Sequence, residues 1–327
     1  MSSGIQVQQV VAPVLLGEGP LWEEHNQSLI FVDIFECNIH RYFPKTERHQ
    51  VLHIENCGTG KSVSFAIPIE DDPNLLVVGL GRSIAVVEWS PNDPDQHSVT
   101  PKGILHTVDD HVPQTRLNDA KCDPQGRLWA GTMGPEASPG QPEMYKGSLY
   151  SVDSKLKLTS WVDRISISNG LAWSLDKKTF YYIDSCAYSV DAFEYNDDTG
   201  AISKRRKAFN YKSSGLDKDI PDGMCIDAEG NLWVANFFGK KIICINPETR
   251  KIVRQVEMPA QNMTSVCWGG ENYDILFATS AQAGLTREEI ATEPAGATFA
   301  ITGLGVKGLP SQNLKVDMQL LKAKFTN

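Results

Sequence analysis

Asn118–Thr132 reads NDAKCDPQGRLWAGT, Asn169–Ser185 reads NGLAWSLDKKTFYYIDS, and Asp222–Phe237 reads DGMCIDAEGNLWVANF. Each opens on polar and small residues, runs through an apolar strand to a D-x-x-G or D-K-K turn, and enters a second strand. Weaker copies flank them: GEGPLWEEHNQSLIFVD from Gly17, SVSFAIPIEDDPNLLVVG from Ser62 and TSVCWGGENYDILFATS from Thr264. Self-similarity at a steady period marks a repeat architecture. With Glu18, Ser64, Asn118, Asn169, Asp222 and Ser265 as the leading polar residues, the steps are 46, 54, 51, 53 and 43 residues. The runs between turns, such as SLIFVDI, NLLVVGL and KIICINP, are short and apolar or alternating, as antiparallel strands are, and long helical periodicity is absent. Such a period, at about four strands per unit, is that of a propeller blade. The sequence therefore predicts an all-β fold, a six-bladed β-propeller whose radial closure removes the edges an open array leaves exposed.

Residues 1–16 precede the first unit, and their extended apolar pattern supplies a strand that closes the last blade. Residues 17–308 hold the six blades of one domain spanning 1–327, and 309–327 form a tail whose structure the sequence leaves open. A β-sandwich or a two-domain chain is the alternative, and neither predicts this period.

In a propeller the innermost strand of each blade lines a central channel, and the first residues of all six strands emerge at one mouth. Glu18, Ser64, Asn118, Asn169, Asp222 and Ser265 are then expected to converge, bringing two carboxylates, two amides and two hydroxyls together. Hard oxygen donors with a charge near −2 suit one divalent cation, Ca²⁺, Mg²⁺ or Mn²⁺, and Zn²⁺ fits an open site. At any single position a strand-end cap is the ordinary explanation; six in phase argue for a cage.

Composition narrows the class. The 327 residues are 41% hydrophobic and 22% charged, in the range of folded globular chains. Forty Asp and Glu against 31 Lys and Arg give a net charge of −9, which repels nucleic acid and anionic membranes. The basic run Lys204–Lys207 reads as a solvated hairpin edge. With no long apolar span and no signal-peptide pattern in Met1–Leu16, the expected location is cytoplasmic. Seven scattered cysteines without C-x-x-C read as free, mostly buried thiols. Gly58–Ser62 (GTGKS) lacks the first glycine of a phosphate loop, because Glu55 stands there. All seven histidines lie before residue 112, which disfavours a His-ligated metal or a Ser–His triad built across the ring.

LLGEGPLWEE, RLNDAKCDPQGRLWAGTM, ISNGLAWSLDKKTFYYIDS, IPDGMCIDAEGNLWVANFFGKKI and ITGLGVKG, in order from Val14 to Gly308, resemble the regucalcin, or senescence marker protein, branch of the gluconolactonase-like hydrolases. Insect luciferin-regenerating enzymes are a closely similar branch. The resemblance implies an animal member, with one divalent metal in the channel of a six-bladed propeller, hydrolysing sugar lactones such as D-glucono-1,5-lactone. It also implies residue roles. Glu18, Asn169 and Asp222 become metal ligands, Arg116, Asn118 and Glu136 contact substrate, and Asp119 buttresses Asn118 or touches a metal-bound water. Segments 56–61 and 90–102 lie outside the matching patterns and are candidates for a lid.

The expected chemistry is metal-assisted hydrolysis, with the lactone carbonyl polarised, a water activated, and Asp222 orienting or deprotonating that water. The expected partner is a small lactone, and the chain a monomer or weak homodimer. Two rivals remain: a non-catalytic calcium-binding regulator, and an organophosphate or aryl-ester hydrolase, which the histidine distribution disfavours.

Overall fold

The computed structural model describes residues 4–57 and 61–325. Six antiparallel sheets follow one another, and their innermost strands define blades 1 to 6: Gly17–Glu23, Val63–Ile69, Arg116–Cys122, Ser168–Trp173, Ile220–Ile226 and Met263–Gly269. Five of the blades step outward through three more strands and blade 1 through four. In blade 6 the outermost strand is Gln6–Val11, antiparallel to Thr298–Thr302 with Gln6 opposite Thr302. The chain is thus a six-bladed β-propeller whose N-terminal strand closes the last blade.

Burial explains the strand composition. Second strands such as Ser28–Asp33 and Leu232–Phe237 are buried at every position, because neighbouring blades cover both faces. Outer strands such as Lys251–Glu257 are largely exposed, and the basic run sits on one of them, Ile202–Asn210, with Arg205 and Lys204 paired to Asp191 and Glu194.

The D-x-x-G-x-L-W signature is a local hydrogen-bond device. Asp227 Oδ1 accepts from the backbone N–H of Glu229 (2.9 Å) and Asn231 (2.8 Å), while Oδ2 accepts from the Trp233 indole (2.9 Å). Asp123 does the same with Gln125, Arg127 and Trp129, and also accepts from the Tyr195 hydroxyl. The turn needs a left-handed residue, which Gly126 (φ 81°) and Gly230 (φ 84°) supply without steric cost.

Every inner strand carries a register break near its start: between Glu18 and Leu21, Val63 and Ala66, Leu117 and Ala120, Ser168 and Leu171, Pro221 and Met224, and Met263 and Ser265. A bulge re-aims the side chains it contains. In blade 6 it contains Thr264, so Ser265 is one residue out of phase with the other leading positions.

Two further expectations are corrected, and a third falls partly outside the described residues. Segment 90–102 is no lid: its strand Ser98–Val99 pairs parallel with His53–Ile54 and adds a fifth strand to the outer edge of blade 1. Of segment 56–61 and of the GTGKS loop, residues 58–60 lie outside the described residues. Not all cysteines are free, because Cys37 and Cys57 form a disulfide with Cα atoms 6.5 Å apart. Cys37 precedes the third strand of blade 1 and Cys57 follows the fourth, so strand pairing brings together two residues that spacing did not connect. The other five cysteines are free.

The tail crosses the face of the ring where the inner strands end. Gly308 N–H donates to Tyr273, Leu314 N–H to Pro68, Lys315 N–H to Gly126, and a helix, Met318–Ala323, follows with Leu321 fully buried. Among the described residues no helix is long and apolar enough to cross a membrane.

Candidate active site

Four inner strands deliver residues in or beside their bulges to one cavity at the channel mouth. Glu18, Asn118, Asn169 and Asp222 line it with Arg116 and Glu136, in a space of about 60 Å³. Its apolar rim includes Leu16, Ile34, Phe35 and Ile167.

The amides are locked in place. Asn118 Nδ2 donates to the Ser168 carbonyl (2.8 Å) and to Asn169 Oδ1 (3.1 Å), and its Oδ1 accepts from Arg116 (2.7 Å). Asn169 Nδ2 donates to Ser185 Oγ (2.8 Å), which itself donates to the Pro221 carbonyl (2.7 Å). This chain of bonds runs from blade 3 through blade 4 to blade 5 and fixes which oxygen atoms face the cavity.

The two hydroxyl positions do not join the cage. Ser64 donates to the Leu117 carbonyl of the next blade, and Thr264, which occupies the bulge in place of Ser265, donates to the Gly17 carbonyl. Hydroxyls this short reach only neighbouring backbone, so they stitch blades together. Ser265 lines the opposite half of the channel.

The carboxyl groups carry the electrostatic load. Burial, with Asp119 adding negative charge, raises Glu18 to about 8, against an opposing bond from Gly19 N–H and the Arg116 charge. Burial, then Glu18, Asp119 and Glu136, pushes Asp222 far above the usual carboxylate range. Asp222 Oδ1 is buried and has no hydrogen-bond partner. Such an orphan is expensive unless something positive meets it. With the Asn169 amide alongside, the donor set fits a hard divalent cation. Among the described residues no three His, Cys, Asp or Glu side chains make a metal site, so the donors on offer here are two carboxyl groups and an amide.

Arg116 lies deeper than a surface ion pair does. Burial pushes its guanidinium down, with Glu136, Glu18 and Asp222 opposing. It bonds Asn118, lies 3.7 Å from Glu136 and sits 5.6 Å from the Phe35 ring centroid. Glu136 begins a small hairpin, Glu136–Ser138 with Gln141–Pro142, and its Oε1 accepts from Gly140 N–H. Pro139 and Gly140 line the cavity, so this hairpin from blade 3 covers the mouth. Asp119 makes no bond to Asn118: its Oδ1 accepts from Ala120 N–H, and it faces the other half of the channel while acting on Glu18 and Asp222 through its charge.

Sequence reasoning missed Ser185, Phe35, Asp33 and Asp184. Asp33 accepts from the N–H groups of Leu15 and Leu16, and Asp184 from those of Ser166 and Ile167, holding the entry to blades 1 and 4 alike. The signal was present as the matching FVDI and YIDS strand ends.

Residues 16–282 match the family described as SMP-30/Gluconolactonase/LRE-like region. Regucalcin of Danio rerio is 40% identical over 296 residues, covering 90% of this chain and 93% of its own. Regucalcin of Homo sapiens is 41% identical, with 90% and 92% covered. Among solved structures, a luciferin-regenerating enzyme superposes with a TM-score of 0.85 at 36% identity, covering 96% of this chain and all of its own. The chain therefore belongs to the SMP-30/gluconolactonase/LRE-like family.

Proposed function

We propose that the chain is a divalent-metal-dependent hydrolase of sugar lactones, of the gluconolactonase type. The observation that carries this reading is the pair of buried carboxyl groups, Glu18 and Asp222, beside a buried guanidinium in one small polar cavity. Glu18, Asn169 and Asp222 would hold the ion, with Ca²⁺, Zn²⁺, Mn²⁺ and Mg²⁺ all compatible with oxygen donors. When bound, such an ion polarises an ester carbonyl and increases the acidity of water.

The side chains supply the rest. Asp222 orients the attacking water and takes its proton, a role limited by how strongly the same carboxylate is held by charge. Arg116 and Asn118 hold the ring hydroxyls and lactone oxygens, and Glu136 accepts from a sugar hydroxyl while steadying Arg116. Water adds to the carbonyl carbon, the ring C–O bond breaks, and the freed alkoxide is protonated, leaving a hydroxy acid beside Arg116. The hairpin over the mouth excludes bulk water.

The test is hydrolysis of D-glucono-1,5-lactone by the full chain, with and without chelator. We expect Asp222→Ala to lose metal affinity and at least about 10²-fold in turnover. Activity retained by that variant at saturating Ca²⁺ or Zn²⁺ rejects the assignment. Arg116→Met should raise KM with metal affinity unchanged. Metal binding with no turnover across a panel of lactones favours instead a calcium-binding regulator.

A further inference from the structure

The channel has a second cavity below the polar one, of about 510 Å³, within the range of small-molecule sites. Its walls come from the far halves of the inner strands and the turns after them. Leu21, Phe65, Ile67, Leu171, Trp173 and Trp268 make them apolar. Only three charged side chains line it: Lys121, Lys177 and Asp119. Lys177 is paired with Asp197 at 3.9 Å, which leaves Lys121 as the cavity's cation without an ion-pair partner among the described residues, with Asp119 acting on it only through charge.

Lys121 is its unfilled group. An ammonium has three donors. Lys121 Nζ donates to the Met224 carbonyl at 2.6 Å, and among the described residues no carboxylate lies within ion-pair distance of it. The indole N–H groups of Trp173 and Trp268, also in the walls, are buried without partners. Cys122, Cys225 and Cys267 line the space too, but burial pushes all three thiols up, so they stay protonated and inert.

A strap roofs the cavity. Leu309–Gln312 lie over it, anchored on one side by Gly308 to Tyr273 and on the other by Leu314 to Pro68, both 2.9 Å or shorter. Between these anchors no backbone hydrogen bond ties 309–313 to the blades among the described residues. The roof is held at its two ends and free between them.

We infer that this lower cavity binds a hydrophobic monocarboxylate, its chain against the aromatic and aliphatic walls and its carboxylate accepting from Lys121, admitted by displacement of the 309–312 strap. The site is separate from the polar cavity and does not depend on the lactonase reading.

The test titrates sodium decanoate, below its micelle threshold, into the full chain, following tryptophan fluorescence. Decanol and decyltrimethylammonium serve as neutral and cationic controls. We expect saturable one-to-one binding of decanoate, with both controls at least about tenfold weaker, as loss of a charge-assisted hydrogen bond implies. Lys121→Met should abolish the preference for decanoate over decanol, and Lys121→Arg should keep it. Neither divalent cation nor gluconolactone should displace decanoate. The inference is overturned by absence of saturable binding, by equal affinity for the three probes, or by displacement by cation or lactone, which would put the ligand in the upper cavity. If Lys121→Met fails to fold, the three-probe comparison on the unaltered chain decides alone.

Discussion

Glu18 and Asp222 are buried next to each other, and their shared environment makes the metal-free protein prefer protons to charge. For Glu18 the folded value of about 8 lies above the ordinary 4.5, so the penalty for its charge is absent below pH 4.5, grows as pH rises, and is complete above 8. In chelator, the melting temperature should therefore fall as pH rises from 5 to 8, and Glu18→Gln should flatten that slope. A divalent cation should bind more weakly as pH drops below 8 and release protons as it binds, measurable by calorimetry in buffers of different ionisation enthalpy. A proton-neutral binding reaction contradicts the placement of Glu18 among the ligands. Elsewhere, Arg41 and Glu23 form a fully buried pair at 2.7 Å, with Arg41 stacked 4.1 Å from the Trp89 ring of blade 2. Among the described residues Arg41 is the only cation paired with the buried Glu23 carboxyl; Arg41→Ala removes it and leaves the Ser28 hydroxyl alone, and urea unfolding should show a loss of about 3–5 kcal/mol.

At the scale of single elements, the Asp turn is what makes the repeat readable. Asp227 accepts from two backbone donors and one indole, all within six residues, so its pattern is written locally. Asp227→Ala should cost about 3 kcal/mol by chemical denaturation, since two buried donors and one half-buried donor lose their acceptor. The same locality explains how Glu18, Asn118, Asn169 and Asp222 were legible: the last three sit in the bulges of their own strands and Glu18 at the edge of its bulge. Blade 6 was misread by one residue because Thr264 and Ser265 are both hydroxylic, and only the ladder with Ile275–Ser280 tells which falls in the bulge. The hairpin over the mouth was not legible at all. It is an insertion between the second and third strands of blade 3; blade 6 carries an insertion at the same place, but with a helix, Arg287–Thr292, in place of a hairpin, so no period points to it. The disulfide escaped for a related reason, since Cys37 and Cys57 meet only once two turns of blade 1 are aligned.

For the molecule as a whole, the ring and its strand count followed from period, whereas the crossing of the tail did not. The tail's contacts with Pro68, Gly126 and Ser154 are made with blades far from it in sequence, and nothing repetitive encodes them. Deleting residues 1–11 should open blade 6 at Thr298–Thr302, lowering the melting temperature and letting protease cut first within blade 6. Unchanged melting would show that the ring holds without its clasp. That clasp joins Gln6–Val11, which precede all six blades, to a strand that ends at Thr302. A nascent chain on the ribosome must keep this strand waiting until the last blade has emerged. Premature termination anywhere before the last blade therefore yields an open crescent with two sticky flanks, a species for chaperones and degradation to find rather than a smaller working protein.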